Sequence, residues 1–344
     1  MRLLRILIPG LGLLFLGYLI GRLGPGEIWR NLVVLKGTFP LVLLVALGWH
    51  LTNSAAWAFA FPPGPFRPRF HSLFMAKLAG DAVSQLTPLA NLGGEPLKAY
   101  LLRSQAPTSA GLASVVVNKA AQLITGLAFS ALGLGLVVLY WTLPLALPVT
   151  VKAGLAILLL LAILLALVLW RQQRRLFSSL LGLLSRLGMR TDQFERRLAK
   201  ATRIDENIAS FYRNCRGRFL LVLGFHSAGW LLGAWETHLI LRALGVHADF
   251  SVSFLITALT VMINSLFFFM PSNIGVLEGG QVFLLTALAL DPATGLSLGI
   301  AKRMRKLFWI LVGWLCLTHL SHAALQTEAG AVRETLARRR TGMP

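Results

Sequence analysis

The chain has 344 residues, of which 56% are hydrophobic and only 13% charged, and its mean hydropathy is +0.70. A soluble domain sits nearer half apolar and a quarter charged, so this composition excludes an ordinary water-soluble fold and points to an all-α polytopic membrane protein. The formal net charge is +20. The basic residues cluster between apolar runs, where they set topology, and no zinc-finger spacing, RNA-recognition signature or basic-aromatic stretch accompanies them; no nucleic acid partner is expected.

Leu3 to Ile20 has a basic start and an apolar core, as a signal peptide does, but lacks a small-x-small cleavage site before Arg22; it reads as a retained first span. Gly21 to Phe39 is a mixed linker with an amphipathic helix around IWRNLVVL. Leu41 to Phe61 is the second span, ended by the prolines of PPGPFRPRFH. Phe70 to Leu86 is apolar but carries Lys77 and Asp81, and it runs into TPLANLGGEP, which cannot stay helical; a short helix over PLKAYLLR follows. Gly111 to Trp141 and Val149 to Trp170 are the third and fourth spans, joined by uncharged TLPLALP. Arg171 to Arg218 is the main hydrophilic segment, rich in Lys and Arg, and is expected on the anionic cytoplasmic leaflet. Phe219 to Leu241 is the fifth span, Phe250 to Leu290 a second interrupted unit, and Ala293 to Ala324 the last span, broken in polarity by KRMRK, Lys302 to Lys306. Residues 325–344 form a basic tail.

The positive-inside rule then gives one integral membrane domain with about six full spans and both termini cytoplasmic; Arg22, Arg30 and Lys36 fall against the rule. Cys215 lies in a basic segment and Cys316 in an apolar helix, so neither a disulfide nor a metal site is expected.

The two interrupted units resemble each other. With Pro88 aligned on Pro271, Glu95 falls on Glu278, Asp81 on Asn264 and Lys98 on Gln281. Asn91-Leu92-Gly93 matches Asn273-Ile274-Gly275 with a slip of one residue. The second helices, Pro96 to Leu102 and Val282 to Leu290, reach only about 10 and 14 Å, too short to span. Units 70–102 and 250–290 therefore read as re-entrant broken-helix hairpins. Three spans lie between them, which inverts one relative to the other, and such inverted repeats place polar sites near the bilayer midplane.

GGEPLKAYLLR after a Pro/Asn/Gly break, and P-x-x-x-G-x-x-E-G-G late in the chain followed by KRMRK, resemble the flippase-like transmembrane domain of lysylphosphatidylglycerol synthases, and within it the hopanoid-biosynthesis-associated subgroup. The resemblance covers essentially the whole chain and implies an inner-membrane lipid transporter or flippase. No soluble aminoacyltransferase domain follows the membrane part, so lysyl transfer is not expected.

The candidate substrate-binding residues are Asp81, Asn91, Gly93, Glu95, Lys98, Lys119, Asn264, Asn273, Gly275, Glu278, Arg303 and Arg305. A charge inside the bilayer needs a partner or a wet cavity. Glu95 and Lys98 are three apart and pair either as a site or as a local surface ion pair. Glu278 has no local cation, so it is protonated or its partner comes from elsewhere; Lys302, Arg303, Arg305 or a lipid headgroup are the candidates, unless KRMRK is an interfacial belt that snorkels to headgroups. Asn118 with Gln122, and His50 with Asn53 and Ser54, read as interhelical hydrogen-bonding stripes. Trp235, Glu236 and His238 read as interfacial.

No nucleophile elbow, Walker motif or HExxH occurs, so neither an enzyme nor direct ATP drive is expected, and no cofactor. The expected partners are membrane lipids, with anionic headgroups or hopanoids, and a second copy or a lipid-export protein. A non-transporting scaffold of a lipid synthesis or export complex is the alternative to a carrier.

Overall fold

A computed structural model describes residues 25–64, 66, 68–86, 93–139, 194–267 and 273–341, with Gly17, Tyr18, Gly21 and Leu160. The expected span at 149–170, the TLPLALP turn, residues 171–193, Asn91 and, apart from three residues, the expected first span and its linker to Gly24 lie outside the described residues.

Within them there are ten α-helices and no strand: α1 (Pro25–Leu35), α2 (Phe39–Phe59), α3 (Phe70–Leu86), α4 (Glu95–Leu101), α5 (Thr108–Leu139), α6 (Phe194–Asn214), α7 (Arg216–Ala243), α8 (Phe250–Leu266), α9 (Val276–Ala287) and α10 (Pro292–Thr341). The chain is an all-α polytopic membrane protein. Among the described residues three helices are long and apolar enough to cross a bilayer, namely Phe39–Phe59, Thr108–Gly135 and Arg216–Ala243. α10 runs about 75 Å at 1.5 Å per residue, well over the hydrocarbon thickness, and carries the KRMRK charges inside its length. Its exposed Met304, Leu307, Leu311 and Leu315 form one apolar stripe, suited to lipid.

Local chemistry sets the boundaries. α1 opens on Pro25, whose fixed φ and missing N–H suit a first turn, with Glu27 against the positive helix end. α10 opens on Pro292 after Asp291, whose carboxylate accepts hydrogen bonds from the Thr294 amide (2.6 Å) and hydroxyl (2.8 Å). The expected short helix at Val282 begins instead at Val276, because Gly275 takes φ +79, a left-handed conformation that glycine adopts without strain, and caps the helix there. Glu278 thus lies in the first turn of α9 rather than in the break. The hydrophilic segment holds a helix, α6, whose Ile204, Ile208 and Phe211 pack against Ala113, Val115 and Val117 of α5.

The helices fall into two sets of five, α1–α5 and α6–α10, with matching neighbours. α2 and α7 pack antiparallel: Phe59 stacks on Phe225 with ring centroids 5.6 Å apart, and at the other end Gly48 abuts Leu232. α10 crosses α3 where Gly313 lies on the Leu78 carbonyl; α5 crosses α8 where Gly133 lies on Ala258 and the Ser130 hydroxyl donates to the Ala258 carbonyl at 3.2 Å. α1 covers the start of α10 through Ile28 and Leu296, with Asn31 bonded to Ser297 at 3.1 Å, just as α6 covers the start of α5. In each set a short helix, α4 or α9, folds back beside the helix before it and packs on the long helix after it.

Candidate functional site

Each short helix is held by atoms that come very close. In the first set the Gly94 amide donates to the Ser84 hydroxyl at 3.0 Å, and a Cβ on Gly94 would lie 1.8 Å from the Gly80 carbonyl oxygen. In the second set α9 lies on Gly295 and Gly299 of α10; a Cβ on Gly299 would stand 2.9 Å from Cα of Glu278. Backbones that approach this closely exclude side chains, which is the use of small residues at helix contacts in membranes.

In the first set Lys77, Asp81, Glu95, Lys98 and Lys119 form one chain of ion pairs. Lys77 Nζ reaches Asp81 at 2.6 Å, Lys98 Nζ reaches Asp81 at 2.8 Å and Glu95 at 3.0 Å, and Lys119 Nζ lies 3.4 Å from Glu95. The links join α3, α4 and α5. Lys77 also lies 3.2 Å from His50 Nδ1 and 4.8 Å from the centroid of the Trp49 ring, a cation–π contact.

The equivalent positions of the second set hold neutral polar groups. Asn264 accepts from the Asn273 side-chain amide at 3.1 Å, where Asp81 stands in the first set; Gln281, aligned with Lys98, donates to the Thr260 hydroxyl at 2.8 Å, and Thr260 is aligned with Lys77. The charges in this half sit on α7, α9 and α10. Arg303 holds both carboxylate oxygens of Glu278, through Nε to Oε1 and through Nη2 to Oε2 at 2.9 Å, and Nη2 donates to the Asn273 carbonyl at 3.2 Å. Glu278 is fully buried and also accepts the Gly275 amide at 3.0 Å, so the same carboxylate caps α9 and anchors α10 to it. Asn273 sits at φ +52, a left-handed conformation that asparagine tolerates, and this turns its carbonyl to the arginine. Arg305 Nη1 pairs with Glu236 of α7 at 2.5 Å.

The two halves face one cavity of about 370 Å³. Asp81, Glu95, Lys98 and Lys119 line it from the first set, and Asn264, Asn273, Glu236, Lys302, Arg305 and Lys306 from the second. Gly93, Gly275, Glu278 and Arg303 do not line it, although Leu277 and Lys302, next to Glu278 and Arg303 in the chain, do. Of the sequence-derived candidates, Asn91 alone is outside the described residues.

Several residues of the cavity were not among those candidates. Glu236 was expected at the interface, yet it is 2% exposed and paired with Arg305. It lies seven residues before the end of α7, roughly 10 Å inside it. A carboxylate at that depth in an apolar helix is itself a signal of a cationic partner. Lys302 is buried and aligns with Lys119 when Glu278 is set on Glu95. Asn118 does reach across helices, to His226 Nε2 at 2.9 Å, whereas Asn53 and Ser54 bond carbonyls of their own helix, those of Trp49 and His50. His50 does reach across helices, to Lys77 Nζ at 3.2 Å, and also packs on Trp309, with ring centroids 4.5 Å apart. Among the described residues no group of three His, Cys, Asp or Glu side chains is gathered as a metal would need.

Comparison with known proteins finds a membrane-protein family. The family described as Lysylphosphatidylglycerol synthase TM region matches residues 3–313. A UPF0104 membrane protein of Methanothermobacter thermautotrophicus is 25% identical over 323 residues, covering 88% of this chain and 90% of its own length. No solved structure matches the chain. With nearly its whole length matched, the chain belongs to the Lysylphosphatidylglycerol synthase TM region family.

Proposed function

We propose, from this family membership and the shape of the polar site, that the chain is a lipid carrier and not an enzyme. It moves an amphipathic lipid of the hopanoid or phospholipid class across the bilayer by way of the cavity between α1–α5 and α6–α10. We read the two sets as the halves of an inverted repeat and the α3–α4 and α8–α9 units as re-entrant hairpins. The antiparallel contact of α2 with α7 and the paired crossings of α3 with α10 and α8 with α5 support that reading.

One observation carries the proposal: a cavity bounded by two broken helices holds three carboxylates and six cationic side chains inside an otherwise apolar bundle. Each such charge is costly in hydrocarbon, and a structural role alone is served better by apolar packing. A charged cavity within the bundle is what a polar headgroup needs to leave the aqueous surface while its acyl or polycyclic tail stays in lipid. Placement in a bacterial cytoplasmic membrane, with the basic α6 and the Arg216–Arg218 corner on the cytoplasmic side, follows the positive-inside rule.

The test is reconstitution. Purified protein in liposomes is expected to speed the exposure of fluorescent lipid to a membrane-impermeant quencher, relative to protein-free liposomes. A scaffold predicts equal rates with and without the protein. An enzyme predicts a chemically altered lipid on extraction.

A further inference from the structure

Lys77 ties the first hairpin to a spanning helix. It stands on α3, 6% exposed, and its ammonium meets three groups: Asp81 of its own helix at 2.6 Å, His50 Nδ1 of α2 at 3.2 Å, and the Trp49 ring of α2, whose centroid is 4.8 Å away. His50 is 7% exposed and also packs on Trp309 of α10, with ring centroids 4.5 Å apart. The other charges around His50 are Asp81 on α3, Lys98 on α4 and Arg305 on α10, and Lys119 of α5, Glu236 of α7 and Lys302 and Lys306 of α10 line the same cavity.

A hairpin of this shape does not need ionisable groups at these positions. The second half builds the same helix, break and short helix with Thr260, Asn264 and Gln281 where the first has Lys77, Asp81 and Lys98. It joins them by neutral hydrogen bonds, Gln281 to Thr260 at 2.8 Å and Asn273 to Asn264 at 3.1 Å. Neutral partners cost less to bury than ions, so the titratable version has a use beyond packing.

The contact of Lys77 with His50 supplies that use. An ammonium has only donors, so Nδ1 accepts here and the neutral imidazole carries its hydrogen on Nε2. A proton arriving from the cavity has one free place on this ring, Nδ1. Once bound, it sets a second donor and a second positive charge against the ammonium, and Lys77 is left with Asp81 alone. The imidazolium keeps Trp309, whose ring attracts a cation more than a neutral group. One proton thus moves His50 from the first hairpin to α10, and its departure from the same nitrogen restores the tie. Histidine suits this use, because its unperturbed charge change falls at about pH 5–8.

We propose that His50 is a proton-binding site whose occupancy frees the α3–α4 hairpin from α2, so that a proton gradient drives the carrier. The inference rests on the carrier reading and supplies its energy source. The sequence has no Walker motif, and carriers built as inverted repeats alternate by rocking one repeat against the other. In each cycle one proton is taken up at Nδ1 from one side of the membrane and given up from Nδ1 to the other.

Liposomes holding the protein and a fluorescent phospholipid, with valinomycin and equal potassium to clamp the potential, are given a pH gradient. The fraction of label open to an impermeant quencher is followed to steady state. With one proton per lipid, one pH unit is expected to shift the leaflet ratio by up to about tenfold. Nigericin, which exchanges potassium for protons, is expected to abolish the shift. His50→Gln, and Lys77→Thr, which installs the residue aligned in the second half, are expected to show no shift; if His50→Gln does not fold, Lys77→Thr carries the test. A wild-type ratio that ignores the gradient, or the full shift in both variants, overturns the proposal. The proton site is also read without transport, by 15N-histidine NMR in nanodiscs, with His50→Gln assigning the signal. His50 is expected to gain a second N–H as the pH is lowered, and a signal unchanged down to about pH 5 overturns the site itself. Lipid movement that ignores the gradient sinks this inference alone. Protonation of His50 with no lipid movement under any gradient sinks the carrier reading and leaves the proton site standing.

Discussion

Arg303 and Glu278 stand on different helices, yet the guanidinium takes both carboxylate oxygens while the carboxylate also accepts the Gly275 amide that starts α9. One side chain thereby fixes where the chain re-enters helix after its break and how that helix sits on α10. The pair is enclosed, with Glu278 at 0% and Arg303 at 16% side-chain exposure.

Removing one partner leaves the other charge buried. Glu278→Gln and Arg303→Gln are each expected to lower unfolding stability by about 3–5 kcal/mol, and the double variant by less than the sum. Thermal unfolding in detergent reads this; strictly additive losses would mean the two side chains act independently.

Glu236 and Arg305 differ from that pair, because Arg305 is 25% exposed, towards the cavity. Glu236→Gln is expected to cost less stability than Glu278→Gln while changing transport at least as strongly. A double-mutant cycle in transport should show a coupling on the order of 0.5–3 kcal/mol. No coupling would place Arg305 outside the path.

The contact of α9 with α10 leaves no room at Gly299 or Gly295, where a Cβ would lie 2.8 Å from the Gln281 carbonyl oxygen in the latter case. Gly299→Ala is expected to cost about 1–3 kcal/mol through overpacking. Gly224, with nothing near its Cβ position, is the control, and Gly224→Ala should be neutral or mildly stabilising. Equal effects at the two positions would show that α9 does not seat on α10 as described.

Asp291 lies in the exposed turn before α10. Burial pushes its carboxyl up, but hydrogen bonds from the Thr294 hydroxyl and amide and from the Ala293 amide outweigh this and hold it below the ordinary value. A carboxyl depressed in the folded state stabilises above its unfolded pKa, about 3.9, and that contribution disappears as pH falls through the folded value. Asp291→Ala should therefore lower the melting temperature at pH 7, by an amount set by about 1 kcal/mol for an N-cap. The gap between variant and wild type should shrink below pH 4; a gap independent of pH would contradict the cap.

Much of this was legible in the sequence because it is local. The interrupted helices, the aligned glutamates and the Glu95–Lys98 spacing lie within single segments, and Glu278's lack of a nearby cation required a partner from another element. Arg303 was a named candidate for it. What escaped depends on which helices become neighbours. Glu236 meets Arg305 only because α7 packs near α10, and Lys98 meets Asp81 only because α4 folds back beside α3. Helical spacing puts Lys302, Arg305 and Lys306 on one face, but which way that face points is decided by the crossing of α10 with α3. The start of α9 was read too late because Gly279 and Gly280 extend the run of helix breakers past Gly275, and the left-handed φ of Gly275 is a property of the backbone.

The most direct test of the cavity as the path is to fill it. Gln122 lines the cavity from α5 and makes no side-chain hydrogen bond among the described residues. Gln122→Cys, in a background with Cys215 and Cys316 replaced by alanine, is reconstituted and its lipid transport measured before and after a bulky thiol reagent. The account predicts that modification reduces transport at least tenfold, that prior lipid loading slows the modification, and that the cysteine-free background is unaffected. Transport at the unmodified rate, with the thiol fully labelled, would contradict it.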